Sequence, residues 1–232
     1  MQLGPATAPT PPTDLAAGLA TCAAERGQRP AVTVLSPAGR AEQGFVTLAQ
    51  WAAKGAHLLQ VDLGLVPGDR VLVDVPPGWT LAAVCAAVWW VGGTVVLGDA
   101  AGVAGAVVHE SRSLPEAPEV YVVGDALDGG ITAPSSAYVW AEEVQTFPDQ
   151  PPTRAAAAHL VAIEQDGVAT THGDLIAALA AGRGVLGVDL AHFTGAGVRE
   201  VAARPLVTGR ATVVLRDLDR SAADGDNVTT WA

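Results

Sequence analysis

Residues 45–99 read FVTLAQWAAKGAHLLQVDLGLVPGDRVLVDVPPGWTLAAVCAAVWWVGGTVVLGD, and the fold turns on how this stretch is parsed. Thr47, with Gln50 three residues on, has the spacing of a helix capping box. Behind it Leu48, Trp51, Ala52, Gly55, Leu58 and Leu59 share one face at helical spacing, and Gly64 is a suitable stop. Val66-Pro67-Gly68-Asp69 then turns the chain into a predicted strand, Arg70–Val75. Pro76-Pro77-Gly78 opens a second helix, Trp79–Val91, and Gly92-Gly93 ends it before a strand at Thr94–Leu97. Both strands are continuous apolar runs separated by a helix, the pattern of parallel strands buried on both faces.

The same stretch invites a membrane reading. Mean hydropathy is +0.31, and residues 75–98 are long enough to span a bilayer. Three features argue against it: the Pro-Pro-Gly turn, the Gly-Gly break, and acidic flanks (Asp74, Asp99) without a Lys/Arg bias. A buried helix, a turn and a buried strand explain the segment, and no membrane association is expected.

Outward from this centre, Thr13 can cap a helix to about Glu25, and Ala31–Leu35 with a return near Phe45-Val46 reads as a hairpin. Downstream, weaker β signals lie at 106–108 and 120–123, and a short helix near 137–144 precedes the linker-like FPDQPPT of 147–153. Beyond it come a strand at 159–163, a helix at 174–182, a strand at 185–188, a helix at 198–203 and a strand at 212–215. The expected fold class is α/β, a mostly parallel sheet flanked by helices. Its expected layout is a disordered lead-in at 1–12, one domain at 13–216 with an internal boundary near 147–153, and a solvated polar tail at 217–232.

Composition removes several functions. The formal net charge of −11 opposes nucleic-acid binding, and no basic stripe interrupts it. Of thirteen basic residues, all but Lys54 are arginine. Cys22 and Cys85 lie far apart in apolar stretches, which suits free thiols in a reducing compartment. Met1–Pro12 lacks a basic n-region and reads as a lead-in, not a signal peptide, so a cytoplasmic location is expected. The five histidines, 57, 109, 159, 172 and 192, never approach ligand spacing, and no metal site is expected. Gly182-x-Gly184-x-x-Gly187 has dinucleotide-binding spacing, but it leaves a helix and enters a strand, the reverse of what phosphate binding needs. Thr170-Thr171-His172 at a helix start reads as a cap, with Asp174 suiting the first turn.

Thr47-Leu48-Ala49-Gln50-Trp51, Gly64…Gly68-Asp69-Arg70-Val71 and Gly92…Leu97-Gly98-Asp99 together resemble the opening of the AMP-binding, or acyl-adenylate-forming, superfamily. That group includes acyl-CoA synthetases, luciferases and peptide-synthetase adenylation domains. Further on, Gly167-Val168-Ala169-Thr170-Thr171-His172-Gly173-Asp174-Leu175 resembles the family's Lys-Gly-Val-x-x-Thr-His-x-x-Leu. Pro205–Leu215 resembles its Pro-Leu-x-x-Gly-Gly-x-Val-Val-Leu, and His192 falls near its Pro-Leu-x-His segment. The motifs keep family order from about 31 to 215. The resemblance implies part of the N-terminal domain of an adenylate-forming enzyme, with Gly167, Thr170, Thr171, His172 and His192 as ligand-binding candidates.

Departures from the family matter as much. Its phosphate loop, Thr-Ser-Gly-Thr-Thr-Gly-x-Pro-Lys-Gly, wraps a triphosphate in backbone N–H groups. Here Ile163 runs through Glu164-Gln165-Asp166 straight to Gly167, with Asp166 where the resemblance puts a lysine. Charges about 4 Å apart repel by roughly 1 kcal/mol in water and about 4 at an effective dielectric of 20. This sequence also stops before the family's Tyr-Gly-x-Thr-Glu segment and the small domain with its catalytic lysine. The expectation is a protein without catalytic residues or cofactor that binds a partner or an unknown small ligand. The alternative is a residual acyl- or aryl-acid ligase-type enzyme, or a weak binder of AMP or ATP. The apolar composition and six tryptophans lead us to expect a homodimer covering an open face.

Overall fold

A computed structural model describes residues 11–99, 101–124, 130–180, 184–190 and 198–231. All but the last two residues of the expected lead-in thus lie outside the described residues. Helix α1 (Leu15–Arg26) leads into the hairpin β1 (Pro30–Ser36) and β2 (Gly39–Gly44), followed by α2 (Phe45–Val61). The central crossover is β3 (Arg70–Asp74), α3 (Trp79–Trp90) and β4 (Thr94–Leu97), and then come β5 (Gly105–His109), β6 (Val120–Val123), β7 (Tyr138–Val139) and α4 (Trp140–Val144). A second hairpin, β8 (Val161–Gln165) and β9 (Val168–Thr171), runs into α5 (His172–Ala180). The chain continues through β10 (Val185–Asp189), α6 (Val198–Thr208), β11 (Thr212–Leu215), a 3-10 turn at Arg220–Asp226 and β12 (Val228–Trp231).

The α/β class holds, with the strands divided between two sheets. One is seven-stranded, ordered β7-β6-β5-β3-β4-β8-β9, and the other five-stranded, ordered β12-β10-β11-β1-β2. Apart from the two hairpins, every pairing is parallel. The strand period of two sorts side chains between faces. Val71, Val73 and Val95 join the main core, while Leu72 and Val96 pack on the far face with Ala106, Val108 and Val120 in a smaller cluster.

Helix α3 packs on both sheets and on α1, α2 and α6. All twelve of its residues are buried, so it is apolar all round rather than on one stripe. This accounts for the high hydropathy. Among the described residues no helix is long and apolar enough to cross a membrane.

Several boundaries differ from expectation. Helix α2 starts at Phe45 with Gly44 as its uncapped N-cap, and Thr47 Oγ1 instead bonds Gln28 Oε1 at 3.3 Å. Buried Phe45 anchors that earlier start. Asp14, not Thr13, caps α1, its Oδ1 accepting from Ala17 N at 2.8 Å. Helix α6 passes through Pro205 to Thr208, held by fully buried Leu206. Strands on both sides of 147–153 belong to one sheet, because β8 pairs with β4.

The polar stretch after Arg216 is built into the fold: β12 pairs with β10, and Ala223 packs under the five-stranded sheet with Leu35, Val213 and Leu215. Gly187 explains why β12 fits there, since a Cβ would lie 2.6 Å from the Trp231 ring. That close packing is what the last glycine of the dinucleotide-like spacing serves, while Gly182 lies outside the described residues. Trp79, Trp89, Trp90 and Trp140 are buried, and Trp51 and Trp231 are half-buried. The tryptophans thus leave no open aromatic face among the described residues.

Candidate functional site

Open α/β sheets bind ligands outside the carboxyl ends of their strands, where successive connections leave in opposite directions. In the seven-stranded sheet the chain steps from β3 to β4 on one side, then returns across β3 to β5 and continues outward to β6. A cleft of about 380 Å³ lies at this place. Val73, Val75 and Leu97 give it apolar walls, and Pro76-Pro77 form one rim. Its polar lining is Asp74 and Arg112 on one side and Gln165 and Asp166 on the other.

Each polar group is placed by a strand end or a tight turn. Asp74 ends β3, and Arg112 follows β5 in a turn closed by Arg112 N donating to His109 O at 2.8 Å. Their side chains meet at 3.3 Å, Arg112 Nε to Asp74 Oδ1, both about half exposed. Gln165 is the last residue of β8 and pairs with Val168 across the hairpin. Between them Asp166 (φ 52°) and Gly167 (φ 75°) are both left-handed, the geometry of a type I′ two-residue turn, for which Asp-Gly is a favoured pair. Where the resemblance implies a phosphate loop, the chain spends two residues reversing direction.

The sequence-derived candidates do not assemble here. Gly167 serves the turn. Thr170 sits on edge strand β9, in register with Ile163. Thr171 caps α5: its Oγ1 accepts from Asp174 N at 3.1 Å and donates to Asp174 Oδ2 at 2.7 Å. The cap reading of this segment therefore accounts for its hydroxyl.

His172 has no exposed surface. Its Nδ1 accepts from Leu15 N at 3.3 Å and its ring packs edge-on to Trp89, centroids 6.3 Å apart. Burial pushes its pKa down to about 4, partly offset by the nearby Asp14 carboxylate. It is a neutral core imidazole joining the start of α1 to the start of α5. His192 lies outside the described residues. None of Gly167, Thr170, Thr171 or His172 lines the cleft.

Lys54, the single lysine, is also occupied elsewhere, donating to Phe147 O at 2.7 Å and pairing with Asp149 at 3.0 Å. Cys22 and Cys85 are free and buried. Burial pushes the Cys22 thiol up to about 11 and raises that of Cys85 as well, so neither is a ready nucleophile. Among the described residues no three His, Cys, Asp or Glu side chains form a metal-binding group.

The residues that do line the cleft, Asp74, Arg112 and Gln165, were not marked by any motif. Their one sequence signal is position: Asp74 is the penultimate residue of the predicted strand Arg70–Val75, and Gln165 lies two residues past the predicted strand at 159–163.

No family model matches the chain. A Mycobacterium tuberculosis protein whose name carries a family number and no activity is 45% identical over 60 residues, 26% of this chain and 25% of that one. An acyl-CoA synthetase of Brucella canis superposes with a TM-score of 0.76 at 16% identity, covering 97% of this chain and 48% of that one. Coronafacic acid ligase of Pectobacterium brasiliense gives 0.71 at 13%, covering 91% and 47%. Acetoacetyl-CoA synthetase of Streptomyces lividans gives 0.71 at 17%, covering 87% and 38%. This chain has the fold of part of an adenylate-forming enzyme and spans about half or less of the solved structures it matches.

Proposed function

We propose that this chain is a cytoplasmic binding protein on an adenylate-forming scaffold, taking a small ligand in the cleft at the ends of β3, β4 and β8 without adenylating it. The observation that carries the reading is the Asp166-Gly167 turn. Adenylation needs donors and cations to neutralise charge developing at the α-phosphate. In this cleft the turn places a carboxylate, and the one lining cation among the described residues, Arg112, is already paired with Asp74. Burial of His172 supports the same reading, since a fully enclosed imidazole touches no ligand in the cleft. Buried free thiols fit a reducing compartment.

Calorimetric titration with MgATP, AMP and CoA tests the proposal. The expected outcome is no low-micromolar binding of MgATP, while some other small molecule raises thermal stability as binding to the native state must. A low-micromolar MgATP constant would overturn it and favour the residual nucleotide-binding reading.

We also propose that two copies associate through β9. Edge strand β2 carries Arg40 and Glu42, charges that discourage pairing, whereas β9 is Val168-Ala169-Thr170-Thr171 with Val168 65% exposed. Antiparallel β9–β9 pairing would give an isologous dimer. Size exclusion with light scattering should return twice 23.4 kDa, and a clean monomer at micromolar concentration would refute it.

A further inference from the structure

We infer that the cleft's ligand carries a protonated amine next to an apolar group. This rests on the reading above that the cleft binds a small molecule, and names its chemical class.

The inference follows from which lining groups are already satisfied. Asp74 and Arg112 neutralise each other across 3.3 Å. Glu164, next along β8, is held by Arg70 through Nε and Nη2 at 3.1 and 2.9 Å. Asp166 is exposed, and among the described residues no ion pair or hydrogen bond engages its carboxylate. Gln165 Oε1, at the same end of the cleft, is buried without a hydrogen-bond partner. Among the described lining side chains, the groups without a protein partner are thus one exposed carboxylate and one amide oxygen, and both accept hydrogen bonds.

A ligand matched to this end must donate and carry positive charge. An ammonium does both from one atom, with three N–H donors. A divalent cation fits less well, because hard cations take six or more oxygens and the free groups supply fewer. Phosphates and carboxylates bring acceptors to acceptors. The remaining surface, Val73, Val75, Leu97 and the two proline rings, offers apolar contact to the rest of the molecule. The hairpin fixes the backbone from which the Asp166 side chain departs, because its two-residue turn has Asp166 and Gly167 both left-handed.

The test uses matched probes differing only in the head group: 2-phenylethylamine, 2-phenylethanol and phenylacetate, titrated into the purified chain and followed by amide chemical shifts of Val73, Leu97 and Gln165. The amine should bind roughly tenfold more tightly than the alcohol, as a charge-assisted hydrogen bond replaces a neutral one, and phenylacetate most weakly. Asp166→Asn keeps a favoured Asn-Gly turn. It should erase the amine's advantage while leaving the alcohol unchanged. An order led by phenylacetate, or amine binding indifferent to Asp166→Asn, would overturn the amine assignment while leaving the cleft a binding site. If no compound from a broad small-molecule panel shifts those amides, the binding reading falls as well.

Discussion

Two connections leave neighbouring parts of the seven-stranded sheet and have opposite characters. After β3 the chain makes a Pro-Pro-Gly turn and enters α3, where every side chain is buried between the sheets. After β8 it makes a two-residue turn into β9, an edge strand with exposed Val168. The first connection carries much of the main core and the second very little. Core packing constrains the crossover tightly, while the turn residues Asp166 and Gly167 belong to none of the hydrophobic clusters. Binding chemistry is therefore free to change at the turn while the scaffold persists.

The contrast can be broken most forcefully at Trp89, whose side chain has no exposed surface and whose Nε1 donates to Ala162 O at 2.8 Å. Trp89→Ala should cost about 3–5 kcal/mol in urea denaturation, from lost burial plus a cavity. A loss below about 1 kcal/mol would mean that α3 is not the keystone described here.

His172 gives the next largest effect. Its pKa is depressed to about 4 in the folded chain, against about 6.5 unfolded. Between those values the unfolded chain holds a proton that the folded one does not, so stability is full above pH 6.5 and declines as pH falls toward 4. The decline should reach on the order of 3 kcal/mol, read as the difference between the native chain and His172→Phe. Identical pH profiles for the two would place His172 outside the core.

Changes at the hairpin should be smaller. Gly167→Ala forces a Cβ into φ 75° and should cost about 1–2 kcal/mol. Thr171→Ala removes the α5 cap and should cost about 1 kcal/mol. If either matched Trp89→Ala, the distinction between a fixed crossover and a tolerant turn would not stand.

How much of this was readable in the sequence divides along the same line. Residues 71–73 and 95–97 are unbroken apolar runs between turn signals, and strands form over them because burial on both faces demands such composition. Strand β9 escaped because Val168-Ala169-Thr170-Thr171 has no buried face to impose alternation. The Asp166-Gly167 pair is itself a hairpin signal, at the place where the resemblance implies a phosphate loop. Strand β12 is polar and is held by tertiary packing of Trp231 against Gly187, which no local pattern records. At the site, the sequence singled out Asp166 through a departure from a motif. It could not show that His172 faces inward, because an imidazole after a helix cap has the same letters whether it meets a ligand or Trp89. Asp74 and Arg112 meet only through pairing of β3 with β5.

The central proposal is that the cleft does not adenylate, and pyrophosphate–ATP exchange measures that directly. Purified chain incubated with MgATP, labelled pyrophosphate and a panel of aliphatic and aromatic acids should show no acid-dependent exchange above a protein-free control. Exchange that depends on one acid and is abolished by Asp166→Ala would contradict the account, because it would make the turn residue part of a working adenylation site.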